Sequence, residues 1–415
     1  MIYSTTVTTK TIMPEHVFII SSLVVNGGNY LYNLLLGRVL GPTKFADAAI
    51  LITLFLALSF VAMTVQIATT KFSVSFSGSQ QQAFLRRAYR FSYTLGAFIG
   101  IVLILFSGKL QAFFNTQSAI TFVILGLAIP IYFAMSCKRG VLQGMDNLIA
   151  LSVSYQIEMW TRFLITFALI LFFNLSADVA VASSILIAVF CGYLPYKKYV
   201  HTFASKIKLN TSNRKKVLRF FLITLCYECT LIMCNNSDII LVKHYFEPLE
   251  AGYYSSIALI GRVVYFITWM LVMLLLPKVI KANKHNENTL VIFKKYLSYI
   301  GFLAITITVL CHVFPEQIIT VLFGRQFLDI APLLSSYALA TSLFAIANVF
   351  AYYFLCLEKY LPIFFALLMG IGQIVFIIWF HETLQEVVYM QIVPMGFLLL
   401  MQLAYFFYQM SRASK

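Results

Sequence analysis

Glu158, Arg162, Glu228, Asp238 and Arg262 stand within long runs of apolar residues. An ionisable group in such a run is costly unless it meets a partner or a polar cavity. Glu158 and Arg162 are four apart, so on a helix they share a face and can pair. A guanidinium forks onto two oxygens of an anion, which an ammonium cannot do. Two readings stay open. In one, Arg162 and Arg262 bind an anionic group in a cavity, while Glu158 and Glu228 hold the arginines between binding events or carry a coupling proton. In the other, these residues form structural ion pairs that fix helix packing. Asn26, Asn29 and Asn33 follow at i, i+3 and i+7 beside Gly27 and Gly28, a single polar face on an apolar helix. That face either lines the same cavity and bonds ligand hydroxyls, or joins helices. Cys226 and Cys229 form a Cys-x-x-Cys without a second pair and are read as small apolar side chains. No residue is assigned a catalytic or metal-ligating role, and no cofactor is expected. His312 and His381 are assigned no function.

The elements that must carry these residues are set by composition. The chain is 61% hydrophobic and 11% charged, against about 25% charged in a soluble domain. Too little polar surface remains to cover a soluble fold. Aromatic residues reach 16%, as expected where rings line the headgroup level. A bilayer core needs about 20 apolar residues per helix. Twelve stretches qualify: 17–36, 48–68, 91–110, 119–135, 148–173, 179–194, 220–242, 251–276, 296–314, 333–357, 361–380 and 387–407. Backbone groups in lipid must be satisfied within the segment, so the fold class is all-α, a polytopic membrane protein. The first stretch lacks a following small-residue cleavage motif and is read as a retained helix.

Charge sets the orientation. Of 30 Lys and Arg residues, 23 fall in segments on the side of both termini and five in loops on the other, with Arg162 and Arg262 inside helices. The positive-inside rule then places both termini in the cytoplasm, and the membrane is expected to be the cell inner membrane. This accounts for most of the net charge of +15 without nucleic acid. On that orientation Glu158 and Arg162 lie about 15 and 21 Å from the inner edge. Glu228 and Arg262 lie about 12 and 13 Å from it, so they are expected to meet across helices seven and eight. Asp238 is expected near the outer interface, and 314–329 is expected to be a short amphipathic segment lying on the membrane.

A basic connection divides the chain into a six-helix lobe at 1–195, a linker at 196–219 and a second six-helix lobe at 220–415. Both halves enter from the same side, which permits a parallel repeat. Gly41-Pro42 with Ala46 echoes Pro248 with Gly252 at an offset of 206. Ala112-Phe113-Phe114 echoes Val321-Leu322-Phe323 at 209, and Leu142-Gln143-Gly144 echoes Leu355-Cys356-Leu357 at 213.

The sequence resembles polysaccharide (O-antigen type) flippases of the multidrug/oligosaccharidyl-lipid/polysaccharide exporter superfamily. The resemblance rests on Leu36-Gly37-Arg38-Val39-Leu40-Gly41-Pro42, on Arg139-Gly140-Val141-Leu142-Gln143-Gly144, and on Asp238-Ile239-Ile240-Leu241-Val242 leading to Pro248-Leu249-Glu250-Ala251-Gly252-Tyr253. Pro315-Glu316-Gln317-Ile318-Ile319 with Leu322-Phe323-Gly324 completes it. Ala46 stands where the pattern has Gly. The loop motifs are read as helix-end turns, not binding residues. The resemblance implies a two-lobed carrier that moves polyprenyl-pyrophosphate-linked oligosaccharide across the membrane by alternating access, for lipopolysaccharide or capsule biosynthesis. It implies a lipid-linked substrate as partner, alongside membrane lipids and other polysaccharide-assembly proteins. Arg162 and Arg262 would then bind the pyrophosphate. Against it stand a cation-coupled drug or metabolite exporter of the same superfamily, a membrane polymerase or glycosyltransferase, and the membrane part of an ATPase-driven pump. Short outer loops argue against an enzyme. Asn, rather than Asp, on helix one argues against a drug exporter.

Overall fold

The computed structural model describes residues 14–173, 175–195, 209–284, 287–357 and 359–413. Lys10, Lys415 and the 196–208 part of the expected linker, with Lys197, Lys198, Lys206 and Lys208, lie outside the described residues. Among the described residues every regular element is helical. The helices are α1 (Pro14–Ser75), α2 (Gly78–Leu105), α3 (Ser107–Phe114), α4 (Ile120–Gly144), α5 (Leu148–Phe173), α6 (Ala177–Tyr193) and α7 (Thr211–Tyr245). There follow α8 (Pro248–Lys284), α9 (Thr289–Val313), α10 (Pro315–Leu322), a 3-10 segment (Arg325–Leu333), α11 (Leu334–Cys356), α12 (Leu361–Trp379) and α13 (Leu384–Ala413). Nine of the described helices are long and apolar enough to cross a membrane. One of these, α1, holds two spans; with the 17-residue α6 and the 37-residue α8, the expected twelve crossings are present.

The first two spans are joined without a loop. A straight 62-residue helix would reach about 93 Å, three times a bilayer core of about 30 Å. Gly41 breaks it at φ 71° and ψ 170°, a left-handed conformation that glycine adopts freely. Pro42 follows with φ already fixed for the first turn of the second span. Asn26 and Asn33 before the break line the same cavity as Ile52 and Ser59 after it, so the two spans run side by side.

Around α1 pack α4, α5 and α6, and α2 packs on α4; α8, α9 and α13 pack around α11, and α12 packs on α7 and α13. Among the described residues α4 and α11, the fourth and tenth crossings, are buried over most of their length. Small residues let helices approach closely in α4. A Cβ on Gly100 of α2 would collide with the Gly126 carbonyl, and one on Gly140 with the Gln66 carbonyl of α1. The Arg139–Gly144 motif is therefore the last turns of α4 packed on α1, where the sequence suggested a connecting turn. Likewise 211–219, expected as linker, forms the first turns of α7. The segment expected to lie on the membrane is α10 and the 3-10 turn, with its apolar face spent on protein: Ile319, Phe323, Phe327 and Ile330 are buried in the main core cluster.

The two groups of six spans form a close seam at the end of the bundle that the charge bias assigns to the outside. A Cβ on Gly252 of α8 would overlap the Pro42 carbonyl, so the repeat-related turns touch each other directly. Phe45 packs between Phe323 and Phe327, at ring separations of 5.8 and 6.2 Å. Lys243 at the end of α7 pairs with Asp47 of α1 at 2.7 Å, both side chains buried. Lys243 also donates to the Asn115 carbonyl at 3.4 Å. This corrects Lys243 from an outer-loop charge to a buried one. Two further contacts are reciprocal. Arg38 donates to the Val321 carbonyl at 3.2 Å, and His244 Nδ1 lies 2.6 Å from the Phe113 carbonyl. Arg38 and His244 differ by 206 in number, Phe113 and Val321 by 208, close to the offsets of the sequence echoes. A pseudo-two-fold axis that relates the groups accounts for the reciprocity.

Gly252→Val should force this seam apart. In a background with the native cysteines replaced, Ala46→Cys, buried beside the seam, should react with a charged maleimide several-fold faster when Gly252→Val is added. Equal rates would show that the seam does not depend on the close approach.

Candidate functional site

Below the seam, between the two groups, lies a cavity of about 570 Å³. Its walls come from both spans of α1 and from α4, α5, α7 and α8. Asn26, Asn29, Asn33, Glu158, Arg162 and Arg262 all line it, with Arg139 as a further arginine. The polar face of α1 is turned inward because Gly28 lets α1 lie against α5: a Cβ there would stand 2.7 Å from the Met159 sulfur. Asn26 projects into the space, whereas Asn33 donates to the Asn29 carbonyl at 2.8 Å.

The three arginines differ in how their charge is met. Arg139 is 1% exposed and pairs with Glu158 at 2.7 Å. It donates to Ser154 Oγ from Nε at 3.1 Å and from Nη2 at 2.9 Å, and lies 4.0 Å over the Tyr155 ring. Ser154 in turn donates to the Gly192 carbonyl at 3.0 Å, which ties α4, α5 and α6 together. Arg262 pairs with Asp238 at 2.9 Å and donates to Asn236 Oδ1 at 3.3 Å. The other Asp238 oxygen accepts from the Tyr337 hydroxyl at 2.7 Å and the Tyr254 hydroxyl at 3.2 Å, so that carboxylate is saturated. Arg262 Nε has no partner among the described residues. Arg162 donates to Asn29 Oδ1 and lies 5.5 Å from the Tyr32 ring. Among the described residues it has no carboxylate within ion-pair distance. Two of the cavity's arginines are thus neutralised in place, and Arg162 is its uncompensated cation.

Two pairings and one position expected from the sequence are corrected. Glu158 does not hold Arg162, four residues on; it holds Arg139, which the charge count had assigned to a cytoplasmic turn. Glu228 does not meet Arg262. It is buried on α7, away from the cavity lining, and makes no ion pair among the described residues. Asp238 is not interfacial but 1% exposed and bonded to Arg262. The reason is directional. A helical side chain leans toward its helix N-terminus. The N-terminus of α8 is at the seam, so the Arg262 guanidinium sits seamward of its own Cα and reaches Asp238 rather than Glu228. Arg139 and Asp47 were missed. The signal for Arg139 was a carboxylate on α5 in need of a cation, and the three-residue α4–α5 turn that brings the end of α4 beside it.

Among the described residues no cluster of three or more His, Cys, Asp or Glu could hold a metal. The arrangement suits binding: a partly cationic chamber whose fixed charges are mostly paired.

A family described as polysaccharide biosynthesis protein matches residues 35–332. No curated protein matches the sequence. Among solved structures, the chain is similar to an inward-facing multidrug resistance MATE family transporter of the MOP superfamily, with TM-score 0.74 at 10% identity, over 94% of this chain and 97% of that one. It is similar to the lipid II flippase MurJ in an inward closed conformation, with TM-score 0.75 at 14% identity, over 92% and 86%. An outward-facing MATE family transporter aligns at TM-score 0.65 and 12% identity, over 97% of each chain. At these identities the likeness is one of fold.

Removing one member of a buried pair leaves the other charge uncompensated, at a cost of about 3–5 kcal/mol. Glu158→Leu should therefore lower the unfolding midpoint of the purified protein in detergent. Adding Arg139→Leu to Glu158→Leu should recover most of that loss. A double variant as unstable as the single one would show that the pair contributes through packing and not charge.

Proposed function

The chain belongs to the polysaccharide biosynthesis protein family, and we propose that it flips polyprenyl-pyrophosphate-linked oligosaccharide units across the cytoplasmic membrane by alternating access. As a multi-pass membrane protein with the fold of MOP-superfamily transporters, it needs no covalent step for this. The observation that carries the reading is Arg162: a cavity-lining guanidinium without a carboxylate partner among the described residues. A phosphate arriving there replaces only an amide contact, so binding costs no ion pair. Arg262 is reached by an anion through its unpartnered Nε, while Asp238 keeps its orientation. Asn26 and Asn29 line the same space and would bond sugar hydroxyls.

The cavity volume falls within the range of about 300–1,000 Å³ typical of ligand sites. The polar head would enter this chamber while the polyprenyl tail stays in lipid. With the seam closed at the end that the charge bias assigns to the outside, release into the outer leaflet would require that seam to open. Glu228, buried without an ion pair among the described residues, is the carboxylate suited to carry a coupling proton or cation. Glu158 is already committed to Arg139. Other assembly proteins of the polysaccharide pathway would act on the product after release.

In cells that depend on this chain for surface polysaccharide, Arg162→Ala should lower polymer at least tenfold while the protein remains in the membrane at normal level. Arg162→Lys should restore only part, because an ammonium cannot make the fork. Arg262→Ala should also lose polymer, with a fall in protein level from the orphaned Asp238. Normal polymer in Arg162→Ala cells would defeat the assignment.

A further inference from the structure

At the inner end a second cavity, of about 280 Å³, opens where α2 faces the end of α1 and the start of α7. Its membrane-side walls are apolar: Val65 and Ala68 of α1, Phe91 of α2, and Leu218 and Phe221 of α7. Phe91 and Phe221 meet edge to face at 5.5 Å and close its top. One turn below Phe91 stands Arg87, and two turns below Phe221 stands Arg214, both lining the groove and both exposed. The order along the groove is therefore apolar toward the membrane and cationic toward the headgroup level.

Nothing in the surrounding sequence offsets that charge. No Asp or Glu occurs between Asp47 and Asp146, or between Asp178 and Glu228. Neither Arg87 nor Arg214 has an ion pair among the described residues, and Arg90, Lys215, Lys216 and Arg219 add to the same exposed edge. The floor is firmly built. Phe72 packs on Phe84 at 5.6 Å and on Phe220 at 5.7 Å, Lys71 lies 3.9 Å over the Phe220 ring, and the Asn210 amide donates to Gln80 at 3.0 Å. These contacts fasten the first turns of α7 to the first group of spans.

We propose that this groove is a binding site for an anionic glycerophospholipid of the membrane, with its phosphate between Arg87 and Arg214 and an acyl chain against Phe91, Phe221 and Val65. Paired guanidinium groups match phosphate oxygens. The positive edge lies where the charge bias places the cytoplasmic leaflet, whose anionic lipids attract such clusters. The bound lipid spans α2 and α7 and so clamps the two groups of spans at the inner end, opposite the seam. The site is separate from the central cavity and does not depend on what that cavity carries.

The test uses the full chain purified in a neutral detergent. Phosphatidylglycerol, phosphatidylcholine or a polyprenyl phosphate is added, and bound lipid is counted by native mass spectrometry alongside the unfolding midpoint. Phosphatidylglycerol should be retained several-fold more than phosphatidylcholine and should raise the midpoint by several degrees more. Arg87→Ala with Arg214→Ala should abolish the difference. Lys215→Ala with Lys216→Ala, which removes equal charge outside the groove, should keep it. Ala88→Trp, which fills the groove at unchanged charge, should lose the retained lipid while helix content by circular dichroism stays the same. Equal retention of the two phospholipids would overturn the proposal. So would an equal loss in the Lys215/Lys216 variant, which would mean a diffuse surface field, or displacement of phosphatidylglycerol by polyprenyl phosphate at equal concentration, which would make the occupant a polyprenyl lipid.

Discussion

The direct contact of Gly252 with the Pro42 carbonyl is the constraint on which the rest of the structure depends. It is possible only because the chain breaks at Gly41 in a left-handed conformation and restarts on a proline. The break turns the second span alongside the first, and the absent Cβ at Gly252 lets α8 reach that turn. With the groups of spans drawn together at one end, Asp47 and Lys243 become a buried pair, and Phe45 fills the gap between Phe323 and Phe327. Below the contact, the space between the groups is the cavity. A bulkier turn would widen the outer end and leave Lys243 without the partner that makes its burial tolerable.

The same economy of charge runs through the cavity. A bilayer-depth arginine is tolerated when a carboxylate and good hydrogen bonds surround it. Arg139 and Arg262 meet that condition, and each also ties helices together, through Ser154 and Gly192 in one group and through Tyr254 and Tyr337 in the other. Arg162 does not. Its amide contact to Asn29 satisfies one donor and leaves the charge unpaid, which is a reason to keep it wet and facing the space.

Much of this was legible from sequence for a simple reason. Hydropathy counts residues along an axis, and crossing a bilayer is a one-dimensional requirement. The twelve helical spans, and the placement of Asn26, Asn29, Asn33, Arg162 and Arg262 within them, follow from position alone. Partner choice does not. It depends on how each helix is rotated and on which way a long side chain leans, so Glu228 and Arg262 share a depth and still do not meet. Residues near span ends were the hardest to read. Arg139 and Lys243 entered the charge count as loop cations, yet α4 runs on to Gly144 and α7 to Tyr245, which carries both into the protein. The echoes at offsets of 206 to 213 were slight as sequence, because a repeat needs only its turns and close approaches preserved. Once folded, the related turns touch.

That touching bears on how the molecule could move. If the two groups rock about their common axis, the contacts nearest that axis change least and those at the two ends change most. The reciprocal pair, Arg38 on the Val321 carbonyl and His244 on the Phe113 carbonyl, is exposed. Each is a hydrogen bond to a carbonyl that water can replace. The buried Asp47–Lys243 pair is different: opening the outer end must hydrate both charges together, which compensates their separation. The seam therefore joins a steric contact that favours one geometry to polar contacts that exchange readily with water. Such an interface closes in a defined register and still opens without stranding a charge in lipid.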